Sequence, residues 1–278
     1  VAAELVYIKS EGDLDLITPL YALGVQGVFT RTLDAALLAG HIDLAVHSMK
    51  DVPTQLAAGI AQAAVLERRS YHDVFVPKSN TDFLADFQSQ AVIATCSVRR
   101  KAQWLRRFPH HTIENIRGNV NTRLRKVQQN DWKGAVFAAA GLERIGLLPE
   151  NAVTLDWMLP APAQGAIMVV CREGDRAVKD ACVPLNHENT ATCVKMERDF
   201  LQRLMGGCTA PISALAITHE SQIHFKGQVL SVDGSEVLEV NECLSLEGTE
   251  NAGFNMADIL IAKGADRMIR QIKERLQT

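Results

Sequence analysis

The sequence predicts a mixed α/β protein that ends in a smaller α+β unit. Strands alternate with helices from about residue 42 to 171. A long helix follows near 188–205, and then come three consecutive strand-like segments and a last helix. At 278 residues the chain exceeds what one small core organises, so two or three domains are expected. Hydrophobic residues make up 47% and charged residues 22%, the profile of a soluble globular protein. The net charge of −3 gives no global attraction to nucleic acid or to a membrane surface. No apolar run reaches the ~18 residues that a transmembrane helix needs.

Each element follows from local pattern. Loose alternation over 3–9 predicts a strand, and the glycine-containing stretch 10–29 a long loop. A helix over 30–39 stops at Gly40. Strands are expected at 42–47, 60–66 and 73–76. A strand at 91–95 runs into a helix at 98–108, which Pro109 ends, and a strand at 112–116 runs into a helix at 119–129. Strand 135–138, a helical stretch at 142–147 and strand 166–171 follow, and this alternation predicts a largely parallel sheet. The helix at 188–205 ends at Gly206-Gly207. Strands at 212–218, 223–230 and 237–246 and a single helix over 255–276 complete the chain. The change of pattern puts one boundary near 187, and a second is expected near 69–72.

The six cysteines (Cys96, Cys171, Cys182, Cys193, Cys208 and Cys243) form no C-x-x-C pair and no zinc-type spacing, so free thiols in a reducing compartment are expected. The chain begins at Val1 with what already reads as strand. An amino-terminal segment is therefore expected to be missing, and no targeting signal can be read.

Three segments carry chemistry. HSMKDVP at 47–53 directly follows an apolar strand, where ligands bind in open α/β sheets, and it presents Ser48, Lys50 and Asp51. A polar strand-to-loop turn would look the same. The stretch from Arg99 to Lys126 holds nine Lys/Arg against one acid, Glu114. In it, TCSVRR at 95–100 runs from strand to helix with Ser97 as expected N-cap, so Arg99 and Arg100 oppose the helix dipole unless an anion joins them. IRGNVNTR at 116–123 repeats the arrangement with Arg117, Gly118, a capping Asn119 and Arg123. Two such turns suit a ligand with several carboxylates or phosphates; a solvated basic face is the plain alternative, and Arg106, Arg107, Arg125 and Lys126 are read that way. The third segment is GGCTAP at 206–211, where two glycines leave the Cys208 thiol unshielded.

In this order and spacing, HSMKDVP, CSVRR, RGNVNTR and GGCTAP resemble the porphobilinogen deaminase family, with supporting matches in GLERIGL at 141–147 and PAPAQGA at 160–166. The resemblance runs from about Glu4 to the carboxyl end. It implies two domains like type II periplasmic binding proteins flanking a cleft, plus a small α+β third domain: 1–70 with 166–187, 71–165, and 188–278. It implies a deaminating transferase, a hydroxymethylbilane synthase, that joins four porphobilinogens head to tail onto a covalent dipyrromethane primer, in tetrapyrrole and heme biosynthesis. Cys208 matches the cysteine that holds the primer as a thioether, and Asp51 the catalytic carboxylate. Ser48, Lys50, Thr95, Ser97, Arg99, Arg100, Arg117, Gly118 and Arg123 match contacts to the primer. Arg99, Arg117, Arg123 and Arg144 match contacts to substrate carboxylates. Asp51 is read as a buried acid that balances positive charge on the reacting rings. No metal, nucleic-acid or membrane partner is implied, and a cytoplasmic monomer is expected. The sequence departs from the family in four respects. The Thr-Arg-x-Ser motif of an amino-terminal strand is not present, Gln26 and Ala22 stand where lysines are usual, Cys96 replaces a serine, and Asn121 replaces a glycine. Two rivals remain. A non-catalytic anionic-solute-binding module leaves Asp51 and the third domain unexplained. Nucleic-acid binding is disfavoured by the scarcity of aromatics, Trp104 and Phe108 only, in the basic stretch.

Overall fold

The computed structural model describes residues 3–8, 30–204 and 210–277. Three sheets organise them. The first has the order β1-β8-β2, from β1 (Leu44–Ser48), β2 (Ile60–Val65) and β8 (Ile167–Arg172). Helices α1 (Arg31–Leu38) and α5 (Arg176–Cys182) belong to this unit. Its core gathers Leu37, Ala45, Met49, Val65, Met168 and Val170.

The second sheet has the order β5-β4-β6-β3-β7, from β3 (Asp73–Pro77), β4 (Val92–Ala94), β5 (Thr112–Glu114), β6 (Gly134–Ala138) and β7 (Val153–Thr154). Helices α2 (Val98–Arg107), α3 (Val120–Gln129) and α4 (Ala139–Arg144) accompany it. Both faces are covered, which is why every residue of β3 is buried. Val74 and Val76 enter one core with Ala94, Ala135 and Phe137, while Phe75 points to the other with Ile93, Trp104 and Val136. That is the period-2 alternation of a strand between two apolar layers.

The third sheet is an antiparallel meander, β11-β10-β9, from β9 (Ile212–His219), β10 (Gln222–Leu230) and β11 (Val237–Ser245). It packs under α6 (Glu188–Arg203), α7 (Ala252–Ala262) and α8 (Ala265–Gln277) around Phe200, Phe225, Val229 and Leu260.

Four expectations are corrected. The parallel arrangement is confined to β5-β4-β6; β8 runs antiparallel to β1 and β2, and β3 runs antiparallel to β6 and β7. The strand expected at 3–9 is not formed in its described part, 3–8. Among the described residues its N–H and C=O groups have no ladder partner, and alternation alone cannot hold a strand. The single last helix is two, α7 and α8, broken where Gly264 takes φ +99°. The helical stretch expected at 142–147 sits earlier, at Ala139–Arg144, because the positive φ of Gly146 ends it.

Two segments cross between the first and second units, 66–72 leading into β3 and 155–166 leading into β8. They touch: the Arg69 N–H donates to the Gly165 carbonyl. A Cβ on Gly165, at φ +89°, would stand 2.5 Å from the Ser70 carbonyl oxygen. Only glycine fits there.

Candidate active site

The loop after β1 is one turn of 3-10 helix, Met49–Asp51. Met49 and Val52 anchor it in the first core. Arg198 of α6 holds it from the other side, with its buried guanidinium donating to the carbonyls of Met49, Val52 and Pro53. Between these anchors Ser48 is half-buried and Asp51 is exposed to solvent, so the expected buried acid is corrected.

Lys50 turns inward, and its ammonium donates to Gln164 Oε1 at 3.3 Å. Burial pushes its pKa down to about 8, with Asp51 and Asp73 opposing that shift and Arg100 and Arg99 adding to it. Gln164 is fully buried and in turn donates to the Tyr71 carbonyl and to Asp73 Oδ1. It thus joins the Lys50 loop to the start of β3.

Both capped turns are found. Ser97 Oγ accepts from the Arg100 N–H and Asn119 Oδ1 from the Thr122 N–H, opening α2 and α3. Thr95 is buried and its hydroxyl accepts from the Ser97 N–H. Arg99 and Arg100 are buried with Asp73 between them, Arg99 Nη1 to Oδ2 at 2.7 Å and Arg100 Nη2 to Oδ1 at 2.8 Å. Arg99 also donates to the Leu159 carbonyl and Arg100 to that of Val136. The anion that relieves these cations at the start of α2 is therefore an internal carboxylate. Burial opposes its ionisation, but Arg100 and Arg99 outweigh burial and hold Asp73 well below the usual carboxylate range.

At the second turn Arg117 is buried, and Arg123 Nε donates to the Gly118 carbonyl at 2.6 Å. Burial lowers the Arg123 pKa, and the charged groups it senses are Arg100, Arg117 and Asp51. Asp51 is thus near enough to the second arginine turn for Arg123 to feel its charge. Arg144 is exposed at the end of α4 and donates to the Gly165 carbonyl at 2.7 Å, beside the crossover. Cys208, Gln26 and Ala22 lie outside the described residues. Asn121 is an exposed residue of α3. Of the cations read as a plain basic face, Arg107 lies over Phe87, Phe108 and Trp157, and Arg106 reaches the Gly234 carbonyl.

Lys50 and Arg123 feel the charge of Asp51, Arg99 and Arg100 pair with Asp73, and Arg117 lies at the same turn as Arg123, so cations gather around two carboxylates. Such a gathering of cations in partly buried surroundings is stabilised by an anionic ligand. Gly118 shapes the second turn at φ +113°, where a Cβ would meet Thr122 Cγ2 at 2.7 Å. Gly118→Ala should cost about 1–3 kcal/mol of stability and raise KM for an anionic substrate. Denaturation and steady-state kinetics measure both, and a variant unchanged in either would remove Gly118 from the site.

The profile described as porphobilinogen deaminase, dipyromethane cofactor binding domain, matches residues 1–180, and that of the porphobilinogen deaminase C-terminal domain matches 191–262. The chain belongs to the porphobilinogen deaminase family. The porphobilinogen deaminase of Desulfitobacterium hafniense is 42% identical over 277 residues, 98% of this chain and 88% of that protein. That of Listeria welshimeri is 38% identical over 98% and 89%, and the chloroplastic porphobilinogen deaminase of Oryza sativa is 40% identical over 95% and 72%. Among solved structures, an amino acid ABC transporter substrate-binding protein from Streptococcus pneumoniae overlaps 63% of this chain and 68% of its own at 12% identity with TM-score 0.31. That overlap is too loose to bear on the assignment.

Sequence reasoning missed Asp73, Gln164, Arg68, Glu197 and Arg198. Gln164 lies inside the PAPAQGA match, which was the one available signal for it. The others read as ordinary charged residues until the units are brought together.

Proposed function

We propose that this chain is a porphobilinogen deaminase acting on porphobilinogen with loss of ammonia, and that the cationic recess around Asp51 is its active site. The observation that carries the reading is an exposed carboxylate, Asp51, whose charge reaches Lys50 and Arg123 beside the Arg99–Asp73–Arg100 cluster. A pyrrole substrate with acidic side arms meets both features. The arms suit the guanidiniums, and the ring, which becomes electron-poor as ammonia departs, suits Asp51. At ~4 Å and an effective dielectric of ~20, one carboxylate stabilises such a charge by about 4 kcal/mol.

The residues present also fit a dipyrromethane group, whose acidic arms suit Lys50 and the arginines of the two turns. Cys208 would hold it covalently, with Ser48, Lys50, Thr95, Ser97, Arg99, Arg100, Arg117, Gly118 and Arg123 around it. When bound, the group supplies the end to which porphobilinogen is added. Arg117, Arg123 and Arg144 grip the incoming carboxylates, and Arg99 with Arg100 contributes the donors that Asp73 leaves over. We assign 1–70 with 166–187, 71–165 and 188–278 as domains, and infer a monomer in a reducing compartment such as the cytoplasm. A non-catalytic anion-binding module is not favoured, because it gives Asp51 no task.

Intact mass tests the reading. Full-length protein should exceed its sequence mass by a two-pyrrole adduct, give colour with Ehrlich's reagent, and consume porphobilinogen. Correctly folded protein with no adduct and no consumption would overturn it.

Lys50 adds a second measurement. Its folded pKa lies below its ordinary value, so the cost of the buried ammonium is fully present below pH about 8 and is relieved as pH rises from there toward 10.5. An anionic ligand pulls the pKa back up, and binding near pH 8 should therefore take up protons. Calorimetric titration with porphobilinogen in two buffers of different ionisation enthalpy reads the uptake. A heat independent of buffer, or equally dependent in Lys50→Met, would remove Lys50 from the site.

A further inference from the structure

We propose that the outer face of the third sheet binds a soft transition-metal ion, Zn²⁺ in the first instance, through Cys243, His224 and His219. Cys243 lies directly opposite His224 in the β10–β11 ladder, so both side chains leave the same face. Both are exposed, while the alternate residues Ile223 and Phe225 are locked in the core and fix the strand beneath them. Cys243 Sγ stands 3.8 Å from His224 Nε2. That is long for a useful hydrogen bond. It is close to the ~3.6 Å that separates sulfur and nitrogen on a tetrahedral zinc with Zn–S of ~2.3 Å and Zn–N of ~2.0–2.1 Å.

His219 pairs with Gln222, two residues before His224 on the same strand, so it lies diagonal to His224 on this face, and its ring centroid is 6.2 Å from that of His224. Two imidazoles on one tetrahedral zinc have centroids roughly 5 Å apart by the same bond lengths. Among the described residues no three metal-binding side chains converge as they stand, so His219 must swing in by about 1 Å, within reach of an exposed side chain's rotamers. The Cys243 thiol donates to Gln222 Oε1 at 3.1 Å, a bond that the thiolate gives up when it takes the ion. On binding, the thiol gives its proton to solvent and sulfur donates its electron pair to the ion. No electron transfer is involved, and water completes the shell. The site is separate from the Asp51 recess. Ser213 and Gln228, at the other end of β9 and β10, face α2, and six residues of strand to His219 span about 20 Å.

Titration of the untagged full-length protein with Co²⁺ tests this. The wild type should develop a saturable thiolate-to-cobalt charge-transfer band at one equivalent, Zn²⁺ should bleach it, and Zn²⁺ should raise Tm. Cys243→Ser should abolish the band and the Tm rise while leaving porphobilinogen turnover unchanged. His224→Gln and His219→Ala should each weaken Co²⁺ binding at least tenfold. No saturable band in the wild type, its full persistence in Cys243→Ser, or an unchanged affinity in either histidine variant would overturn the site.

Discussion

Asp51→Ala should lower porphobilinogen turnover roughly 10²–10³-fold, the loss seen when one preorganised electrostatic group is removed from an active site, about 2.7–4 kcal/mol. The fall should appear in kcat more than in KM, since the carboxylate opposes charge that develops only as ammonia leaves. Folding should be untouched, because Asp51 is exposed and its loop is held by Met49, Val52 and Arg198 instead. Exposure also sets a condition. In open water such a carboxylate is worth little, so the full effect needs bound substrate to displace solvent around it. Asp51→Asn keeps shape and removes charge, and should fall nearly as far. Rapid kinetics and intact mass check the pair; if either variant turns over at the wild-type rate, Asp51 is not the catalytic carboxylate.

What was legible in the sequence was what local chemistry writes. Ser97 and Asn119 announce two helix starts by their side chains alone, and both caps are formed. Spacing along the chain sufficed to place Lys50 and Asp51 just beyond a strand and the arginines at two turns. Strand direction was not legible. β8 reads like any apolar strand, and only its approach through the crossover at 155–166 makes it antiparallel to β1 and β2. Burial failed for a similar reason. Asp51 and Asp73 are both aspartates beside an apolar strand, yet one is exposed and the other wholly enclosed between Arg99 and Arg100. The difference is set by residues 26 or more positions away. The basic stretch reads as calling for an external anion or as a solvated face, and Asp73 meets Arg99 and Arg100 from within the protein instead.

Glu197→Ala should destabilise the fold by about 3–5 kcal/mol, the cost of leaving a buried cation without its partner. Glu197 on α6 is fully buried and accepts four hydrogen bonds: from Arg68 Nη1 at 2.7 Å and Nη2 at 3.0 Å, from the Ala163 N–H at 2.6 Å and from the Ala216 N–H at 2.7 Å. These donors come from both crossover segments and from β9, so one carboxylate ties all three units together. Glu197→Gln retains volume but sets an amide N–H against donors, and should recover only part of the loss. Arg68→Ala combined with Glu197→Ala should cost less than the two losses added, because the second change removes the stranded charge. Chemical denaturation reads the stability, and a loss under about 1 kcal/mol for Glu197→Ala would show that the tie does not hold the units. A functional effect follows from the same contact. Ala163 sits at φ 60°, an unfavourable angle for alanine, held by its N–H to Glu197. The next residue is Gln164, which bridges Lys50 and Asp73. Release of Ala163 lets that bridge drift, so residual folded Glu197→Gln should show a lowered kcat/KM and a changed proton uptake on ligand binding. Normal uptake with lowered stability would separate the tie from the site.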